Sequence, residues 1–108
     1  MKKFVFVYHG SDVMENADPE TRKASMEKWM GWFGTFKDKM VDGGNPFASG
    51  GKSVSAKGAT TVSHDMMPAT GYTIINAKDM DEAVAVAKGC PLVESASGTI
   101  EVYEAMPM

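Results

Sequence analysis

The chain has 108 residues, is 44% hydrophobic and 23% charged, and carries a formal net charge of −3. That length supports one domain over residues 1–108 with a single core, and excludes two domains that each bury their own. The acidic balance argues against a nucleic-acid or anionic-membrane surface, and one cysteine excludes an intramolecular disulfide or an all-thiolate metal site.

Met1-Lys2-Lys3 leads into Phe4-Val5-Phe6-Val7-Tyr8, closed by His9 and Gly10. The apolar run is too short for a signal peptide or for a membrane span, which needs roughly 20 apolar residues. A reducing cytoplasmic setting is therefore expected, with no membrane partner. Lys3 to His9 is rich in β-branched and aromatic residues and predicts a strand. Its faces, Phe4/Phe6/Tyr8 and Val5/Val7/His9, are both mainly apolar, so both need cover.

Asp18-Pro19-Glu20 supplies an N-cap, a proline at the first helical position and an acidic first turn. The helix is expected from about Pro19 to Val41. Met26, Trp29, Met30, Phe33, Phe36 and Met40 form its apolar stripe, with Trp32 near the stripe's edge. Three of the ten methionines thereby read as core filler. Arg22, the only arginine, falls on the N-terminal end of the same stripe.

Asp42-Gly43-Gly44-Asn45-Pro46 ends the helix. Lys52–Lys57 and Ala59–Ser63 fit the arms of a hairpin around Gly58. His64-Asp65-Met66-Met67-Pro68-Ala69-Thr70 reads as a loop, and Gly71–Ala77 as a strand. Asp79 with Glu82 has capping-box spacing for a second helix that Gly89 and Pro91 end. An irregular piece, Cys90 to Ser97, leads to a last strand over Thr99–Glu104. The order predicts an α+β split βαβ sandwich, an antiparallel sheet with two helices on one face. The other face would expose more apolar surface than monomers usually show, which predicts a homodimer through that open sheet face.

Several segments resemble the YCII-related (DGPF-domain) family: Lys2–Gly10, Met26-Glu27-Lys28-Trp29-Met30-Gly31-Trp32, the Val41–Gly44 turn, Gly71-Tyr72-Thr73-Ile74-Ile75, Met80–Val84 with Lys88-Gly89-Cys90-Pro91, and Ile100-Glu101-Val102. They span nearly the whole chain in the family's order. The resemblance implies a ferredoxin-like fold that pairs as a dimeric α+β barrel, with a His–Asp site in the cleft of some relatives. It also brings departures. Where the family carries Asp-Gly-Pro-Phe, this chain has Val62-Ser63-His64-Asp65-Met66-Met67-Pro68, and Asp65 alone stands in for the motif. Many relatives carry a histidine where this chain has Ser25.

His9, at a strand end, is the first candidate for acid–base chemistry, against the plainer reading of an imidazole bonded to backbone. Asp65 is its candidate orienter, whereas the adjacent His64 and Asp65 point to opposite sides of an extended segment. Arg22 needs an anionic partner, either a ligand's carboxylate or phosphate or a structural salt bridge. Trp29 and Tyr72, with Trp32 and Phe33, fit an apolar pocket wall as well as they fit core. Gly43-Gly44 and Gly50-Gly51-Lys52-Ser53 lack phosphate-loop spacing, Cys90 reads as packing, and two histidines far apart offer no metal site. No cofactor is called for. The expected function is a cleft for a small, anionic organic ligand, with lyase- or isomerase-type proton transfer if it is an enzyme. The alternative is a non-catalytic binding or accessory module that has lost the family's catalytic residues.

Overall fold

Alternation along the first strand decides the layering. In a computed structural model that describes residues 1–10, 18–48, 50–62 and 67–108, β1 (Lys2–Gly10) buries Phe4, Phe6, Tyr8 and Gly10 on one face. Val5, Val7 and His9 are half-buried on the other. The remaining elements are α1 (Pro19–Thr35), β2 (Met40–Asp42), β3 (Lys52–Ser55), β4 (Gly58–Thr61), β5 (Ala69–Ala77), α2 (Met80–Ala87), a short α3 (Pro91–Glu94) and β6 (Gly98–Ala105). The main sheet is antiparallel and four-stranded in the order β2-β5-β1-β6, the expected split βαβ arrangement. β3 and β4 form a separate two-stranded sheet.

Register carries the two faces of β1 across the sheet. Phe6 pairs with Thr73 and Val102, and Tyr8 with Gly71 and Ile100. Val5 pairs with Ile74 and Tyr103, and Val7 with Tyr72 and Glu101. The first set, with Phe4 and Ile75, packs under the helices against Trp32, Phe36, Ala83, Ala87 and Cys90.

Local capping chemistry sets both helix starts. The Asp18 side chain accepts from the Thr21 amide at 2.7 Å, and that bond holds its carboxyl below the ordinary carboxylate range. Asp79 accepts from the Glu82 amide at 2.9 Å, while Glu82 accepts from the Lys78 amide at 3.1 Å.

Elsewhere the structure differs from expectation. α1 stops at Thr35, a 3-10 turn covers Lys37–Lys39, and Met40–Asp42 is a strand rather than a helix end. Pairing to Ile74 and Ile75 of β5 outweighs helical continuation there. Within α1 the buried residue is Trp32, with Trp29 and Phe33 partly buried, whereas Met26 and Met30 are 65% and 64% exposed. Arg22 is likewise exposed. The hairpin turns at Ala56-Lys57 instead of around Gly58, and the piece after Cys90 contains α3. Gly89 follows the C-cap Lys88 but does not serve as a left-handed cap, because its φ is not positive. It is small for another reason: a Cβ there would sit 3.2 Å from the Trp32 ring. His64 and Asp65 lie outside the described residues.

Candidate functional site

Trp32 is the hub of an aromatic cluster on the helix side of the sheet. Its ring centroid lies 4.7 Å from Phe36, 5.4 Å from Phe33, 5.7 Å from Trp29 and 6.2 Å from Phe6. Its Nε1 donates to the Val86 carbonyl at 2.9 Å, which fixes α1 against α2. Trp29, one turn earlier, stands edge-on to Tyr8 at 5.1 Å. Tyr8, Trp29, Trp32 and Phe33 of this cluster floor an open groove of about 1460 Å³ between α1, the loop 43–48, the start of β5 and the segment around α3. Arg22 and Lys28 stand among its α1 residues, with Ser25 beside them. The volume exceeds the roughly 300–1,000 Å³ usual for small-molecule sites because one side is open to solvent.

A chain of hydrogen bonds holds the opposite wall. The Thr73 hydroxyl donates to the Gly43 carbonyl at 3.0 Å, so at the 2.6 Å contact between them the Tyr8 hydroxyl donates to Thr73. Burial pushes the Tyr8 hydroxyl well above the ordinary phenol range. The loop then lies so close to β5 that a Cβ on Gly44, whose φ is +75°, would collide with the Tyr72 carbonyl oxygen. Further along, Phe47 stacks on Tyr72 at 5.8 Å and donates its amide to the Thr70 carbonyl at 2.8 Å.

His9 occupies the other face of the sheet. Its Nδ1 lies 2.9 Å from the Met67 carbonyl and its Nε2 lies 2.6 Å from Glu101 Oε1. Both ring nitrogens thus face acceptors, and neither meets a ligand unless one of these bonds opens. Glu101 also bonds the Tyr103 hydroxyl and thereby raises it above its ordinary value.

Of the residues singled out from sequence, Arg22, Trp29 and Tyr72 line the one groove, His9 does not, and Asp65 is outside the described residues. Sequence reading missed Glu101 as the carboxylate partner of His9. Strand alternation was the available signal, because Val7 and Glu101 are cross-strand partners on the face that His9 shares. It also placed Trp32 at the margin of the stripe rather than at its centre. Among the described residues, no three His, Cys, Asp or Glu side chains gather to hold a metal ion. No helix among them is long and apolar enough to cross a membrane.

Comparison with solved structures finds the same fold in 5-chloro-2-hydroxyhydroquinone dehydrochlorinase from Burkholderia phenoliruptrix AC1100, determined in complex with 2,5-dihydroxybenzoquinone. The match has a TM-score of 0.63 at 14% identity, and covers 98% of this chain and 95% of that one. This is the ferredoxin-like α+β fold that the sequence implied. No curated protein matches the chain by sequence. The YCII-related domain model, in contrast, matches residues 1–108, and the chain belongs to the YCII-related family.

Proposed function

We propose that this protein binds a small, planar, anionic organic molecule in the groove between α1 and the sheet. The observation that carries this reading is the pairing of a ring-lined floor (Tyr8, Trp29, Trp32) with two cationic side chains, Arg22 and Lys28, against one carboxylate, Glu94, in one concave site. Flat apolar walls suit a ring, and positive charge at the exposed rim suits its acidic substituents. The structural neighbour holds 2,5-dihydroxybenzoquinone, a ligand of that shape and charge. Isothermal titration calorimetry with that compound, and with neutral hydroquinone for contrast, tests the reading. Trp29→Ala and Arg22→Met should each weaken binding by about 1–3 kcal/mol, the range of a stacked ring or a charge-assisted bond. Equal affinity for the neutral compound, or no effect of either substitution, refutes it.

A second reading, lyase- or isomerase-type proton transfer, draws on His9 with Glu101 and on a neighbour named a dehydrochlorinase. Asp65 would contribute from the segment before β5. His9→Ala separates the two readings: loss of turnover with intact groove binding supports catalysis, and binding without any turnover leaves a binding module. The open face of Val5, Val7, Ile74 and Tyr103 further supports a homodimer of face-to-face sheets, in the reducing cytoplasm suited to a chain with one cysteine. Light scattering on the purified chain reads the dimer directly, and a monomer mass refutes it.

A further inference from the structure

The β3–β4 hairpin stands apart from the rest of the fold. Every residue of both strands is exposed, and the pair forms its own sheet. A lone two-stranded hairpin is marginal in water, so one that persists needs a surface to cover. Register gives it two unlike sides. Val54 pairs with Ala59 and Lys52 with Thr61 on one, whereas Ser53 pairs with Thr60 and Ser55 with Gly58 on the other. The first side joins an apolar pair, with Val54 78% exposed, to Lys52, whose Nζ donates to the Thr61 hydroxyl at 2.7 Å. The second carries only hydroxyls and a glycine.

The hairpin's place in the chain says what that apolar side can reach. It is inserted between Ala48 and Thr70, both of which line the groove. At its base Gly50 has φ +89°, a conformation open to glycine, and among the described residues no atom lies within 4 Å of its Cβ position to wedge the chain there. Strands of four residues extend about 13 Å, enough to cross the mouth of a small-molecule site.

We infer that the β3–β4 hairpin is the lid of the groove, closing its Val54–Ala59 side over the bound molecule and adding Lys52 to the cationic rim. Closure would bury the exposed valine, exclude water from the open side and strengthen the charge pairing within. The inference rests on the groove being a binding site for an anionic ring.

Trypsin reads closure on the full chain, because Lys52 and Lys57 are exposed on the hairpin and Lys78, outside the groove, serves as an internal control. With 2,5-dihydroxybenzoquinone at about ten times its Kd, cleavage at Lys52 and Lys57 should slow about tenfold while cleavage at Lys78 does not change. Val54→Asp should weaken binding of the same compound about tenfold, and Ser53→Ala, on the hydroxyl side, should not. Both side chains are exposed, so neither change threatens the fold. Calorimetric binding without protection at Lys52 and Lys57 overturns the lid and leaves the groove reading standing. A Val54→Asp chain that loses dimer mass but keeps its affinity also overturns it, because the hairpin would then cover a second copy. Absence of binding in calorimetry overturns the groove reading, and the lid with it.

Discussion

Gly44→Ala couples the fold to the groove and can be worked through from geometry. Gly44 has φ +75°, and its ideal Cβ would lie 1.6 Å from the Tyr72 carbonyl oxygen. No rotamer relieves a clash with backbone, so the loop must lift away from β5. Lifting opens the Gly44 amide bond to Asp42 at 2.8 Å, the Phe47 amide bond to Thr70 at 2.8 Å and the Thr73 bond to Gly43 at 3.0 Å. Each such bond contributes about 1 kcal/mol net, and the left-handed backbone costs alanine about 1 kcal/mol more than glycine. The expected destabilisation is about 3–5 kcal/mol, a large share of the roughly 5–15 kcal/mol typical of a domain this size. Urea unfolding followed by far-UV circular dichroism measures it, with calorimetry reporting the fate of the groove. Gly43→Ala is the control, since its Cβ would meet only the Met40 sulfur at 3.4 Å and should cost under about 1 kcal/mol. If Gly44→Ala behaves like Gly43→Ala, the loop is not held against β5 as described, and the groove wall built on it fails.

Trp32→Phe removes the Nε1 bond to Val86 and part of the buried ring, while the Val86 carbonyl keeps the Gly89 amide at 3.3 Å. A loss of about 2–3 kcal/mol in urea unfolding is expected, and a loss below about 1 kcal/mol would contradict its place at the hub. Alkaline stability should report Cys90, whose thiol burial raises from 9.0 to about 11. The folded state retains that proton more tightly than the unfolded chain. Its stabilising contribution is therefore complete below about pH 9 and is lost as pH rises toward about 11. Cys90→Ala should flatten the fall in stability across that window, and an unchanged slope would count against it.

Features set by neighbouring residues in the chain were readable in the sequence. Asp18 and Asp79 cap their helices because the donor lies three residues away, which any fold of the segment preserves. The strand faces were readable for the same reason, since alternation follows from the pleat itself. The end of α1 was not. Met40–Asp42 has the composition of a helix end, and only β5, some thirty residues later, draws it into the sheet. The buried line of α1 is not legible on one helix, because Met26 and Met30 have the spacing of core residues while the buried line passes through Trp32. That line is set by Phe6 from β1 and Val86 from α2, which no wheel drawn on one helix contains. Glu101 escaped notice similarly, being 92 residues from His9 in sequence and 2.6 Å from it in space.

The separation of the candidates onto two faces of one sheet has a consequence for every functional assay. Arg22, Trp29 and Lys28 act on the groove from α1, whereas His9, Glu101 and Tyr103 share the face without helices. β1 joins the two through adjacent residues, because Tyr8 floors the groove and His9 points the other way. A ligand that displaced Tyr8 would therefore strain the register at His9, where the pairing of β1 with β5 already shifts. Substitutions on one face should combine additively with those on the other if binding and the His9 cluster are independent. A double-mutant cycle of Trp29→Ala with His9→Ala measures this. A coupling energy above about 0.5 kcal/mol in ligand affinity would mean that the His9 cluster senses what the groove holds. Additivity would confine His9 to the sheet face, with no part in what the groove binds.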